Sequence, residues 1–61
     1  MTRTEKIRKL QKEGTFKFEG LTREESRTEA AKLAREATDK SASYGIARDG
    51  FGYYYAAQIN D

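Results

Sequence analysis

The stretch from Thr22 to Lys40 constrains this chain more than any other. Thr22-Arg23-Glu24-Glu25 has the capping-box pattern, with Thr22 as N-cap and Glu25 three residues on, reaching back. Glu24 and Glu25 also suit the positive end of a helix dipole. Ser26, Ala30, Leu33, Ala34 and Ala37 then recur at helical spacing and form one stripe. Lys32–Glu36, Arg35–Asp39 and Glu36–Lys40 are opposite charges four apart, as expected on a solvated face. These signals predict a helix over about 23–40. Its buried stripe is mostly alanine, so it must lie close to a sheet that supplies bulk.

Three segments offer that bulk. Thr15-Phe16-Lys17-Phe18-Glu19 alternates apolar and polar, which places Phe16 and Phe18 on one face of a strand ended by Gly20. Residues 42–48 and 51–59 flank Asp49-Gly50, a two-residue hairpin signal of type I′. That turn pairs Arg48 with Phe51, Ile46 with Tyr53 and Tyr44 with Tyr55. One face then carries Tyr44, Ile46, Phe51, Tyr53, Tyr55, Ala57 and Ile59. The other carries Ser43, Gly45, Ala47, Gly52, Tyr54, Ala56 and Gln58. A three-residue loop, Arg48-Asp49-Gly50 with a bulge, is the competitor. The two-residue turn is preferred because it gathers the apolar residues.

Residues 3–12 predict a short helix with Ile7 and Leu10 on one face and Gly14 just past its end. Ten residues do not hold a helix in isolation, so it docks through those two side chains or frays. The order is therefore α-β-α-β-β. A right-handed crossover makes the first two strands parallel. The hairpin strand sits between them, giving sheet order 1-3-2, a split βαβ unit with the long helix on one face. The expected class is α+β: one small domain over 1–61, with a basic N-terminal helix over 1–13 and a β-α-β-β core over 15–59.

Sixty-one residues support only a thin core, and the chain has no Cys and no His. Disulfides and the usual zinc ligand sets are excluded, so either the core suffices or self-association helps. No cofactor or metal is expected. The common general base and the most reactive nucleophile are both missing, and nothing groups the remaining Asp, Glu, Lys, Tyr and Ser, so no enzyme is expected. No run approaches the roughly 20 apolar residues of a membrane span. Met1 to Lys12 lacks the apolar region of a signal peptide, so the expected location is cytoplasmic.

The net charge of +2 is unevenly placed. Arg3, Lys6, Arg8, Lys9 and Lys12 stand against Glu5 and Glu13 in the first thirteen residues, and the rest of the chain is slightly acidic. Asp49-Gly50-Phe51-Gly52-Tyr53-Tyr54-Tyr55-Ala56 resembles the RNP1 motif of RNA-recognition domains, with Gly50, Phe51, Gly52 and Tyr53 matching four consecutive positions. The resemblance implies a sheet whose Phe51 and Tyr53 rings stack on bases, with Phe16 assisting. It covers eight residues. Asp49 stands where the motif is basic, Tyr54 where it has Val and Ala56 where it ends in an aromatic. Packing favours the other assignment, in which Phe51, Tyr53 and Tyr55 fill space opposite the alanine-rich helix.

That assignment leaves Tyr54 on the open sheet face among Gly52, Gly45 and Ala56, as an interface anchor. The functional expectation is a small non-enzymatic interaction or regulatory module. It binds a protein partner or a second copy through that face or through an edge strand. The alternative is a nucleic-acid accessory protein, with Arg3, Lys6, Arg8, Lys9 and Lys12 on phosphates and Phe51 or Tyr54 stacked on a base.

Overall fold

The computed structural model describes residues 2–59. Its elements are α1 (Arg3–Glu13), β1 (Thr15–Phe16), α2 (Arg23–Ala37), β2 (Ser43–Arg48) and β3 (Tyr54–Ile59). The three strands form one sheet in the order β1-β3-β2, with both neighbouring pairs antiparallel to β3. The α+β class, the element order and the strand order are those the sequence predicts.

Local chemistry fixes each helix end. In α2 the capping box is complete: Thr22 Oγ1 accepts the Glu25 N–H at 3.1 Å, and Glu25 Oε1 accepts the Thr22 N–H at 3.0 Å. The five buried residues of α2 are Ser26, Ala30, Leu33, Ala34 and Ala37, the whole predicted stripe. In α1 the Thr2 hydroxyl accepts the Glu5 N–H, and Gly14 closes the helix at φ 80°. The Gly14 N–H donates to the Leu10 carbonyl at 2.7 Å, a left-handed ending that glycine adopts without steric cost.

The helix α1 is docked. Leu10 is fully buried and packs in one cluster with Phe16, Leu33, Ala34, Ala37, Tyr44 and Ala56, with Ile7 and Phe18 against its edge. Gln11 Nε2 donates to the Ala37 carbonyl at 3.2 Å, and Arg3 forms an ion pair with Glu36. Both helices therefore lie on one face of the sheet, and the other face is uncovered. The resulting two-layer slab is 16 Å in its shortest dimension.

Three expectations are corrected. First, α2 stops at Ala37. Thr38 Oγ1 donates to the Ala34 carbonyl at 2.8 Å and accepts the Tyr44 N–H at 2.9 Å, tying the helix end to β2. The Asp39 carboxylate turns to Ser41 and Ala42, and Glu36 pairs with Arg3. The pairs Lys32–Glu36, Arg35–Asp39 and Glu36–Lys40 are not formed among the described residues. Second, β1 is two residues long and not five. Phe18 leaves the ladder but keeps its ring on Phe16, edge to face at 5.0 Å.

Third, the hairpin register differs. Arg48 pairs with Tyr54, Ile46 with Ala56 and Tyr44 with Gln58. The connection is the five residues 49–53. Type I′ needs positive φ at both central residues, but Gly50 is not in that region, and Gly52 is, at φ 89°. A β-turn over Asp49–Gly52 forms instead, closed by Gly52 N–H to Asp49 C=O at 3.2 Å. The shift is three residues along β3. An odd shift exchanges the faces of that strand. Tyr54, Ala56 and Gln58 now share the helix side with Tyr44, Ile46 and Arg48. The open side carries Tyr55, Ala57 and Ile59 beside Ser43, Gly45 and Ala47.

Candidate functional site

The register change redistributes the residues that the sequence assigned to one interface. Ala56 is fully buried in the core. Tyr54 is half-buried on the helix side, where its backbone N–H meets Ser26 Oγ at 3.1 Å and Arg27 stacks on its ring at 5.8 Å. Gly52 is buried in the hairpin loop beside Arg23. Only Gly45 lies on the open face. Ile59 folds across it, with Cδ1 2.7 Å from where a Cβ at Gly45 would stand. The ring left on the open face is Tyr55, under Lys17 at 5.4 Å.

Among the described residues no basic side chain of α1 stands over Phe51 or Tyr54, although Lys9 stands over the strand aromatic Phe16. Arg3 is held by Glu36, Lys6 lies 6.0 Å above Phe18, and Lys9 lies 5.8 Å above Phe16. Arg8 and Lys12 are exposed. The RNP1-like reading requires Phe51 and Tyr53 on a strand, and both lie in the loop before β3. The structure thus does not build the stacking platform that the resemblance implies.

Two surfaces remain with chemistry in them. The first runs along the outer edge of β2. Tyr44 turns its N–H away from β3, toward Thr38. Backbone groups alternate in direction along an antiparallel strand, so Ile46 and Arg48 also turn theirs outward. Beside this edge lies a hollow of about 430 Å³ between β2 and α2, walled by Ala31, Ala34, Tyr44 and Ile46. Ile46 is 41% exposed there. Arg35 stands at the rim without an ion-pair partner among the described residues, because Asp39, one turn on, is bound to its own loop.

The second surface is the hairpin end. Phe51 is 80% exposed at a loop tip held by several hydrogen bonds, with Arg23 and Arg48 beneath it. Neither the Arg35 rim nor this arginine pair was singled out by sequence reasoning.

No group of His, Cys, Asp or Glu able to hold a metal ion occurs among the described residues, and none of their helices is long and apolar enough to cross a membrane. No protein-family model matches the chain, and comparison with curated proteins and with solved structures finds no match.

Proposed function

We propose that the chain is a non-enzymatic interaction module that binds an extended segment of a protein partner as an added strand along β2. The observation that carries this reading is the apolar hollow lying beside the outward backbone groups of Ile46 and Arg48. A strand added there bonds to those groups, and its alternate side chains point to the helix side, into the hollow. Arg35 at one rim and Arg48 at the strand end favour a partner with an apolar residue followed by acidic ones. Thr38 already occupies the Tyr44 N–H, so the accessible edge is short.

The test uses a fluorescein-labelled hexapeptide, Thr-Val-Thr-Val-Asp-Glu, in polarisation titrations, with amide hydrogen exchange followed by NMR. Binding should slow exchange at Ile46 and Arg48. It should weaken when the two acids become Lys, and vanish when the Val amides are N-methylated. Equal binding of the N-methylated peptide, or unprotected Ile46 and Arg48 amides in the complex, would refute strand addition. A concentration-dependent dimer in sedimentation that protects the same two amides would assign the edge to a second copy instead.

A further inference from the structure

The hairpin end carries an inference that does not depend on the β2 edge. Phe51 leaves 80% of its surface in water, in a chain short of apolar bulk. Its exposure forgoes the stabilisation that burying such a ring would bring. The loop that presents it is not loose. Asp49 Oδ1 accepts the N–H groups of Phe51 at 2.8 Å and Tyr53 at 3.0 Å. The Asp49 N–H donates to the Tyr53 carbonyl at 2.9 Å, and Arg23 Nε donates to the Phe51 carbonyl at 3.0 Å. These bonds fix the Phe51 backbone, and its side chain stands in water.

At the next residue, Gly52, two guanidinium groups converge. A Cβ at Gly52 would stand 3.0 Å from Arg23 Nε and 3.8 Å from Arg48 Nη2. Arg23 also stacks on Tyr53 at 5.2 Å, and Arg27 on Tyr54 at 5.8 Å. Among the described residues none of these three arginines has a carboxylate within ion-pair distance. Glu24, Glu25, Glu29 and Asp49 are the nearby acids by sequence; Glu24 is exposed, Glu25 is engaged in the capping box, Glu29 is half-buried, and the Asp49 carboxylate accepts loop N–H groups. Two like charges are thus held near one glycine with no direct ion pair among the described residues, and the Asp49 carboxylate lies in the same loop. The Nη donors of Arg23 remain for a fork-shaped contact with an anion.

We propose that this end binds single-stranded nucleic acid, with one base stacked on Phe51 and the adjoining phosphate between Arg23 and Arg48. A flat ring next to a basic pair matches the repeat of base and phosphate in an unpaired strand. Bases in a duplex are already stacked on one another and do not offer a face to Phe51.

The experiment titrates the full chain with a fluorescein-labelled oligothymidylate of about a dozen nucleotides, with an abasic strand of equal phosphate count, and with a duplex of the same length. The thymidylate should bind tightest at low salt. Phe51→Ala should weaken it by about tenfold or more while leaving the abasic strand unaffected. Arg48→Gln should weaken both strands and reduce the slope of log affinity against log salt by about 0.7. Phe51 is exposed, so circular dichroism of its variant should match the parent. Equal affinity for thymidylate and abasic strand removes the stacking role, and preference for the duplex removes the single-strand assignment. Polyglutamate binding as tightly as thymidylate would mean that the arginines read acidic protein, and absence of any binding at low salt would overturn the proposal outright.

Discussion

The Ser26 hydroxyl accepts the Tyr54 N–H at 3.1 Å and donates to the Arg23 carbonyl at 2.7 Å, while Ser26 itself is 1% exposed. This side chain joins the first turn of α2 to the first residue of β3. It sits inside the alanine stripe, where a small side chain is needed, yet it carries the one polar group that the sheet requires at that point. Tyr54 begins the ladder here because its amide is satisfied from the helix and not from another strand.

Ser26→Ala is expected to destabilise the fold by about 1–2 kcal/mol, since it leaves the Tyr54 N–H unpaired at a half-buried position. In a domain of this size that lowers the melting temperature by several degrees. Thermal and urea unfolding followed by circular dichroism measure it. A change within error would mean that water replaces the hydroxyl without cost.

Leu10→Ala tests whether α1 is part of the cooperative unit. Leu10 is fully buried against residues of α2 and all three strands. Its truncation should cost about 2–5 kcal/mol, a large share of what a small domain has. The sheet and both helices should melt in one transition. If the remaining elements keep their unfolding midpoint, α1 is an appendage.

Two glycines are expected to respond differently to alanine. At Gly52 the backbone is at φ 89° and a Cβ would meet Arg23 Nε at 3.0 Å, so Gly52→Ala should cost more than about 1 kcal/mol and loosen the loop under Phe51. At Gly45 the clash is tighter on paper, 2.7 Å, but the opposing atom is the end of the Ile59 side chain, which is 51% exposed. It can swing into water. Gly45→Ala should therefore stay within about 0.5 kcal/mol of the parent. Comparable losses at both sites in denaturant melts would contradict the distinction.

Most of the architecture was legible because it rests on local and periodic signals. The capping box, the stripe through Ser26, Ala30, Leu33, Ala34 and Ala37, and the strand order all follow from spacing and chain handedness. The hairpin register does not. Asp49-Gly50 satisfies a two-residue turn, and Asp49 with Gly52 equally satisfies a four-residue turn with Asp first and Gly last. The sequence holds both patterns. The second is compatible with the bond between Ser26 and Tyr54 and the insertion of Arg23 over Gly52, contacts 28 residues apart or more. Choosing the first pattern moved Tyr54 and Ala56 to the wrong side of the sheet. The shortening of α2 has the same origin, since Thr38 bonds across to Tyr44.

The Asp39 carboxylate accepts hydrogen bonds from the Ser41 hydroxyl at 2.7 Å, the Ser41 N–H at 2.8 Å and the Ala42 N–H at 3.1 Å. These hold its pKa below the ordinary value of 3.8, with the Ser41 hydroxyl the largest cause. A depressed carboxylate stabilises the fold fully above its unfolded pKa, and that contribution disappears as pH falls through the folded value. The stability difference between the parent and Asp39→Ala should thus be constant above about pH 5 and shrink below about pH 4. Urea melts across that range measure it. A difference that persists unchanged down to about pH 2 would show that the turn does not depend on the charge.

Tyr54 and Tyr55 are neighbours on opposite faces, and their alanine variants should separate stability from surface. Tyr54 points to the helix side, where Arg27 covers its ring at 5.8 Å. Removing it uncovers the junction of α2 and β3 next to buried Ser26 and Ala56, and should cost about 2 kcal/mol. Tyr55 points to the open face, with Lys17 at 5.4 Å as its only cation neighbour among the described residues. Removing it gives up strand propensity and one exposed cation contact, together about 1 kcal/mol or less. Parallel unfolding curves of the two variants decide the facing of β3 in solution. A larger loss for Tyr55→Ala would require Tyr55 to face the helices, which is the two-residue-turn register and not the one observed.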